Sequence, residues 1–169
     1  EQNTYGEAFR EYLQGLVHLY RYEPDEALEA LGYFRRTTSR RYIQFRRAAI
    51  DSMTCLAVTC QLLGRHSEVE SALQLLREYV VGTGDTRLLI LVDSAKARVD
   101  VLRDGPDPAI RWAETAEVSF DQTMLWFLDT PAITACRVRI AEGSAESLER
   151  AGEELSGLAE LNETHHNDI

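Results

Sequence analysis

The sequence predicts an all-α protein in which about eight helices form four antiparallel hairpins that stack as an α-α superhelix. One three-residue pattern recurs along the chain, and apolar residues follow helical spacing on both sides of each turn. No segment alternates polar and apolar residues for long enough to form a strand. Because each hairpin would bury its apolar stripe only against a neighbouring hairpin, we expect a single helical-repeat domain over residues 1–169 with a concave groove.

The recurring pattern sets the turns of the four hairpins. A helical position is followed after seven residues by a turn residue, and after five more by an aliphatic residue. The instances are Gly15, Tyr22 and Ala27; Ala57, Gly64 and Val69; Arg98, Gly105 and Ile110; and Cys136, Gly143 and Leu148. Three of the turn residues are glycine, which ends a helix in the left-handed conformation at the lowest steric cost. Each turn is therefore expected to separate two antiparallel helices.

Start signals divide the chain into individual helices. Pro24, Pro108 and Pro131 lie where the first turn of a helix accepts proline. Ser67 and Glu70 have the spacing of a capping box. The predicted helices, with a further short turn over residues 124–128, cover residues 3–20, 24–37, 40–63, 66–81, 85–103, 107–119, 129–142 and 144–162.

Composition and charge limit the classes of partner. The chain of 169 residues is 44% apolar and carries a net charge of −10. This charge would repel a nucleic acid, so we expect no nucleic-acid binding by this chain alone. The longest aliphatic run, residues 88–92, is far shorter than the roughly 20 residues of a membrane-spanning helix, and the acidic start lacks the features of a signal peptide. We therefore expect a cytoplasmic protein without membrane contact.

The sequence offers no recognisable catalytic, metal-binding or cofactor-binding constellation. Its histidines lack the spacing of a metal pair on one helix face, and it contains neither a phosphate-binding loop nor a nucleophile elbow. We expect His18 to be a partly buried imidazole, and Glu153 and Glu154 to lie on the solvent side of the last helix. The three cysteines, Cys55, Cys60 and Cys136, are expected to be reduced core thiols. The chain is therefore expected to be no enzyme and to hold no cofactor and no metal.

Two groups of residues are candidates for binding. The first helices of the hairpins mix aromatic and hydrogen-bonding side chains with aliphatic ones, as orientation-specific pockets do. The candidates for contact with a ligand or partner are Tyr12, Tyr20, Thr54, Gln61, Arg98, Arg103 and Arg137. An anion or an acidic partner could bind the second group, Arg35, Arg36, Arg40, Arg41, Arg46 and Arg47. Structural alternatives remain open, because these arginines could instead end a helix or pair with Asp51, and Arg98 and Arg137 could form internal ion pairs.

The last predicted helix also points to self-association. Its apolar stripe consists of Leu148, Ala151, Leu155, Leu158 and Leu161. Part of this stripe should pack on the preceding helix while the rest remains exposed, so we expect a weak homodimer through this helix.

The order of a small residue, a glycine at the hairpin and an alanine resembles a tetratricopeptide repeat. The period of about 40 residues exceeds the usual ~34, Arg98 replaces the small residue of the third unit, and the alanine is kept only at Ala27. Further segments, spread over about residues 40–169, are DSM at 51–53, QLLGR at 61–65, ARV at 97–99, AIRW at 109–112, WFLDTPA at 126–132 and Arg137. With these segments, the chain is similar to the middle domain of MalT-like, LuxR-type transcriptional regulators.

In that family a nucleotide-binding switch precedes a helical-repeat sensor, and a promoter-binding helix-turn-helix follows it. The resemblance implies that this chain is the non-catalytic sensor or protein-interaction module, a part of a longer bacterial regulator. Its partners would then be a protein or small-molecule effector in the concave groove, together with the neighbouring domains. The alternative is a free-standing scaffold of the same fold that has no link to transcription.

Overall fold

The computed structural model describes residues 4–38, 46–103, 107–116 and 130–166. These residues form eight α-helices and no strand, which confirms the predicted all-α class for the described part of the chain. A short 3-10 turn, Thr86–Leu88, precedes the fifth helix. The helices are α1 (Thr4–Tyr20), α2 (Pro24–Thr38), α3 (Arg46–Leu62), α4 (His66–Gly82), α5 (Leu89–Val101), α6 (Asp107–Thr115), α7 (Pro131–Glu142) and α8 (Ala145–His166).

Some predicted features lie outside the described residues. They are the start of the third helix over residues 40–45, the end of the sixth over residues 117–119, the short turn at residues 124–128, and the turn residue Gly105. None of the described helices combines the length and the apolar character that crossing a bilayer requires.

Three of the predicted hairpin turns have the expected backbone conformation. Tyr22, Gly64 and Gly143 have φ angles of 59°, 68° and 76°, and each lies two residues before the next helix begins. A left-handed residue at this place ends one helix and reverses the chain. The predicted turns at these residues are therefore confirmed, including the one that lacks glycine.

The aliphatic position after the turn is buried in the first two hairpins but not in the last. Ala27 and Val69 are fully buried, whereas Leu148 is 47% exposed and Ala151 is buried in its place. Residues three apart lie about 60° apart around a helix, so α8 packs through a neighbouring face. The prediction that Leu148 repeats the roles of Ala27 and Val69 is therefore wrong.

The proline signals are confirmed, but the capping box is not formed. Pro24 and Pro131 are the first residues of α2 and α7, and Thr130 caps α7 by accepting a hydrogen bond of 3.3 Å from the amide of Ile133. Helix α4 begins at His66, so Arg65 rather than Ser67 occupies its cap position, and no side chain caps it. The predicted cap residue, Ser67, therefore lies two residues beyond the actual cap position.

The chain divides into two compact units, Glu1–Ala95 and Lys96–Ile169, with the division inside α5. In the first unit α1 packs on α2, α2 on α3, and α3 on α4. A Cβ atom at Gly15 would lie only 2.6 Å from the Cγ atom of Leu31, so the missing side chain lets α1 and α2 approach closely. A core cluster of this unit contains Ile50, Met53, Leu76, Val80, Leu91, Val92 and Ala95.

The second unit has its own core cluster, formed by residues of α5, α6 and α7. Helix α7 packs on both α6 and α8. The core cluster consists of Ala97, Ala109, Ala113, Ala135 and Val138. The half-buried side chains of Val101, Ile110 and Trp112 pack against it.

Candidate functional site

A buried polar contact joins the first and third helices. The hydroxyl group of Tyr12 on α1 donates a hydrogen bond of 2.7 Å to the Oδ2 atom of Asp51 on α3. Tyr12 is 1% exposed and Asp51 is also buried. Burial, and then the nearby Asp51 carboxyl group, raise the pKa of the Tyr12 phenol, so it remains a donor at neutral pH. The structure thus places this predicted ligand contact in the interior, where it links two hairpins.

Arg47 belongs to the same polar cluster. Burial lowers the pKa of this half-buried guanidinium group, while Asp51 and Tyr12 act in the opposite direction. Its electrostatic partner is therefore the interior carboxyl group of Asp51, as the structural alternative for the arginine group anticipated. Arg36 and Arg46 are exposed, while the side chain of Arg35 and the whole of Arg40 and Arg41 lie outside the described residues. The anion-binding patch of six arginines stays a prediction.

The remaining predicted contacts in the first unit separate into interior and surface residues. Helix α3 is buried around its whole circumference between Ile50 and Gln61. Thr54 is buried there and its hydroxyl group donates a 3.0 Å hydrogen bond to the carbonyl oxygen of Ile50. Tyr20, by contrast, is 54% exposed. Of the predicted ligand contacts in this unit, Tyr20 is the one at the surface, and it lies on α1.

The predicted arginines of the second unit also differ in exposure. Arg98 is buried, whereas Arg137 is exposed, although the sequence places them at related positions of two repeats. Arg103 is half-buried and lies 3.7 Å from the carboxylate of Asp100, the distance of an ion pair. The side chains of Arg98, Arg103 and Arg137 are therefore buried, half-buried and exposed, respectively.

Arg139 is a second buried arginine, and the sequence did not predict it as a site residue. Arg139 on α7 forms an ion pair with Glu154 on α8, and its Nη2 atom donates a 3.3 Å hydrogen bond to the carbonyl oxygen of Ala113. Glu154 is half-buried, so its predicted place on the solvent side of α8 is wrong. Arg139 follows the core residue Cys136 by three positions and shares its helix face, which was the available signal.

The same network determines the chemistry of Cys136. The thiol donates a 3.5 Å hydrogen bond to Glu154, and burial together with this carboxylate raises the pKa of the thiol to about 11. Cys136 is therefore a protonated core thiol at neutral pH and a poor nucleophile. A groove of about 160 Å³ lies beside the network, and three of the side chains that line it are the acidic Glu114, Glu142 and Glu146.

The outward face of α1 forms the larger groove, with a volume of about 520 Å³. It is lined by Gly6, Phe9, Arg10, Leu13, Gln14, Val17, His18 and Arg21. All of these residues lie on one helix or directly after it, so the groove is a long open surface rather than an enclosed cavity. Phe9, Leu13 and Val17 make it apolar. Arg10 and Arg21 lie along one edge, and Arg10 forms a 2.8 Å ion pair with Glu11 of the same helix.

The described histidine and carboxylate side chains do not converge on a metal site. No three His, Cys, Asp or Glu residues among the described ranges are grouped as metal ligands would be. The Nδ1 atom of His18 lies 2.6 Å from the Oε2 atom of Glu23 across the first hairpin turn. The prediction of a partly buried, hydrogen-bonded imidazole at His18 is confirmed.

Comparison of the chain with protein-family models, curated proteins and solved structures gave no match. The function is therefore inferred from the residues and the geometry described above.

Proposed function

We propose that this chain is a non-catalytic helical-repeat interaction module of the tetratricopeptide-like kind. In this proposal it is the sensor or protein-binding segment of a bacterial transcriptional regulator of the MalT-like, LuxR type. The observation that supports the proposal is a second apolar stripe on α1, in which Val17 and Tyr20 are exposed while Phe9 and Leu13 are half-buried.

Helix α1 has two apolar stripes that face different directions. The first consists of the buried residues Ala8, Tyr12, Leu16 and Leu19. The second consists of Phe9, Leu13, Val17 and Tyr20, and it lies roughly a third of a turn further around the helix. Val17 and Tyr20 are 48% and 54% exposed. A helix that packs on one side only needs a single stripe, so the second stripe is suited to a further partner.

The repeated construction of the hairpins supports the helical-repeat arrangement. The left-handed backbone conformation recurs at the turn residues Tyr22, Gly64 and Gly143, and a new helix begins two residues after each of them. In helical-repeat proteins, successive hairpins of one design stack on each other and leave the end faces and the inner face for partners. We propose the same α-α superhelix for the four hairpins here.

The shape of the α1 groove favours a protein partner over a small inducer. Pockets for small molecules enclose most of the ligand surface. A long open stripe on one helix instead matches the recognition of a second amphipathic helix, whose apolar residues recur every three to four positions. Of the effectors that the family resemblance implies, a helical protein segment therefore fits this surface best.

Two experiments test the proposal. The reading frame that encodes this chain should contain a phosphate-binding loop upstream and a helix-turn-helix downstream. If both are missing, the link to transcription is wrong and a free-standing scaffold becomes the better interpretation.

The interaction surface itself can be tested with an apolar fluorescent dye such as anilinonaphthalene sulfonate. Val17→Glu should lower dye fluorescence, because it places a charge in the centre of the stripe. Val81→Glu is the matched control, since Val81 is 60% exposed on α4, outside the groove. Equal dye binding by both variants and by the unchanged protein would contradict an exposed apolar surface on α1.

A further inference from the structure

We propose that the α1 stripe binds helix α8 of a second copy of this chain. The inference rests on the proposed function, because it names the partner of the same interaction surface. Three observations support it. An apolar face of α8 is exposed, this face fits the α1 stripe, and charges of opposite sign border the α8 face and the α1 stripe.

Helix α8 packs in its own unit through a face that contains Ala151 and the half-buried residues Glu154 and Leu158. A neighbouring face remains exposed and consists of Leu148, Gly152, Leu155 and Ala159. The steps between these residues are four, three and four, which is the spacing of a helix-pairing seam. Leu148 and Leu155 are 47% and 41% exposed. The surface is therefore an apolar seam without a described partner.

The two seams are complementary in the size of their side chains. The α1 stripe consists of Phe9, Leu13, Val17 and Tyr20, and three of these four side chains are large. The α8 seam alternates leucine with the small residues Gly152 and Ala159, and a Cβ atom built at Gly152 would meet no atom within 4 Å. In paired helices a large side chain of one helix is seated in a space between side chains of the other. Gly152 and Ala159 provide such spaces for the α1 side chains.

The charges that border the two seams are opposite and evenly spaced. Arg10 and Arg21 lie eleven residues apart along one edge of the α1 stripe. Arg10 also forms a 2.8 Å ion pair with Glu11 of its own helix, and such an exposed pair is weak enough to exchange partners. The exposed residues Glu149 and Glu160 lie eleven residues apart beside the α8 seam. Eleven residues correspond to about 16 Å along a helix, so both pairs can face each other at once. The net charge of −10 opposes association through most other surfaces.

The same charges disfavour pairing between identical helices. Two copies of α8 would bring Glu149, Glu153 and Glu160 close to the same residues of the partner. Two copies of α1 would bring Arg10 and Arg21 together, and Glu11 would offset only part of this positive charge. Like charges at an interface select against wrong pairings. The structure therefore favours a contact between unlike faces over the homodimer through the last helix that the sequence suggested.

If the α1 stripe of one copy binds the α8 seam of another, mixtures of variants should behave differently from each variant alone. Val17→Glu disables the α1 face but keeps the α8 face, and Leu155→Glu does the reverse. Each variant alone should sediment as a monomer, while an equimolar mixture should form a heterodimer and nothing larger, because the intact faces meet once. We expect the unchanged chain to associate with a dissociation constant of about 10–100 μM.

Matched controls separate the contact from general effects of added charge. Val81→Glu and Ile140→Glu alter residues that are 60% and 52% exposed on α4 and α7. Both control variants should associate as the unchanged chain does. The variants Arg10→Glu with Arg21→Glu, and Glu149→Arg with Glu160→Arg, change only exposed residues and should leave folding intact. Each double variant should lose association, and mixing the two should restore it.

Three results would overturn the inference. The first is an unchanged chain that remains monomeric at ~100 μM. The second is association that Leu155→Glu abolishes but Val17→Glu preserves, which would indicate α8 pairing with itself. The third is a mixture of Val17→Glu and Leu155→Glu that stays monomeric although circular dichroism shows both to be folded. A monomeric chain in which Val17→Glu still lowers dye binding would refute self-association alone and leave the interaction surface of α1 in place.

Discussion

The hydroxyl group of Tyr12 donates a 2.7 Å hydrogen bond to the carboxyl group of Asp51, and both residues are buried. The two residues are 39 positions apart in sequence, and their helices, α1 and α3, belong to different hairpins. It therefore stabilises the stacking of one hairpin on the next, and it explains why a tyrosine lies on the inner face of α1.

Tyr12→Phe should destabilise the folded chain by about 2 kcal/mol, because it leaves the buried Asp51 without this donor. Urea denaturation followed by circular dichroism measures the difference. Tyr22→Phe removes the same hydroxyl group from a residue that is 83% exposed, and it should change stability by less than about 0.5 kcal/mol. Equal losses in both variants would show that the Tyr12 hydrogen bond is not a stabilising contact.

Glu154→Ala should destabilise the second unit by about 2–3 kcal/mol, because it leaves the buried guanidinium group of Arg139 without its carboxylate. Glu153→Ala alters the exposed neighbour and should be nearly neutral. Combining Arg139→Met with Glu154→Leu should recover most of the loss, since no buried charge then remains. The ion pair would be unimportant if Glu154→Ala and Glu153→Ala unfolded at the same urea concentration.

Gly15→Ala should destabilise the first hairpin by about 1–3 kcal/mol through overpacking. The added Cβ atom would lie 2.6 Å and 2.8 Å from two carbon atoms of the buried Leu31 side chain. At Gly157 in α8 a Cβ atom meets no atom within 4 Å, so Gly157→Ala should stabilise its helix by up to about 1 kcal/mol. Thermal unfolding should thus move in opposite directions, and a stabilising Gly15→Ala would contradict the close approach of α1 and α2.

The thiol of Cys136 should titrate near pH 11, about two units above its ordinary pKa of 9.0. Because the folded state holds this proton more tightly, the stabilisation is fully present below pH 9 and is lost as the pH rises from 9 to 11. The ¹³Cβ chemical shift of Cys136 reports the titration directly. A midpoint near pH 9 in the folded chain would mean that burial and Glu154 do not suppress ionisation.

Local signals were sufficient to predict the helices and three of the turns. Helical spacing identifies a helix wherever one face is apolar, and Tyr22, Gly64 and Gly143 end helices through local backbone geometry. The predicted capping box does not form because Ser67 lies two residues beyond the cap position Arg65, and residue spacing alone does not reveal a shift of this size. The fourth hairpin differs from the prediction because Ala151, rather than Leu148, is buried in α8. Which face of α8 is buried depends on its contact with α7, and residue spacing along α8 does not show that contact.

The candidate site was less predictable because it depends on contacts between distant residues. Arg139 and Glu154 pair across a hairpin, and neither position is distinctive along the chain. Leu13, Leu16 and Leu19 look like one stripe in sequence, yet steps of three residues rotate by about 60° each, so Leu13 and Leu19 face different directions. Only the structure separates the two stripes of α1 and shows which of them is covered.

The most direct test of the interaction surface on α1 is photo-crosslinking from its centre. A chain with p-benzoylphenylalanine at position 17, mixed with an equal amount of ¹⁵N-labelled chain and irradiated, should give mixed-isotope dimers that join α1 to a peptide from α8. Placement of the same group at position 81 on α4 should give few dimers, although Val81 is at least as exposed as Val17. Dimers that form equally from both positions, or that never contain an α8 peptide, would contradict the account.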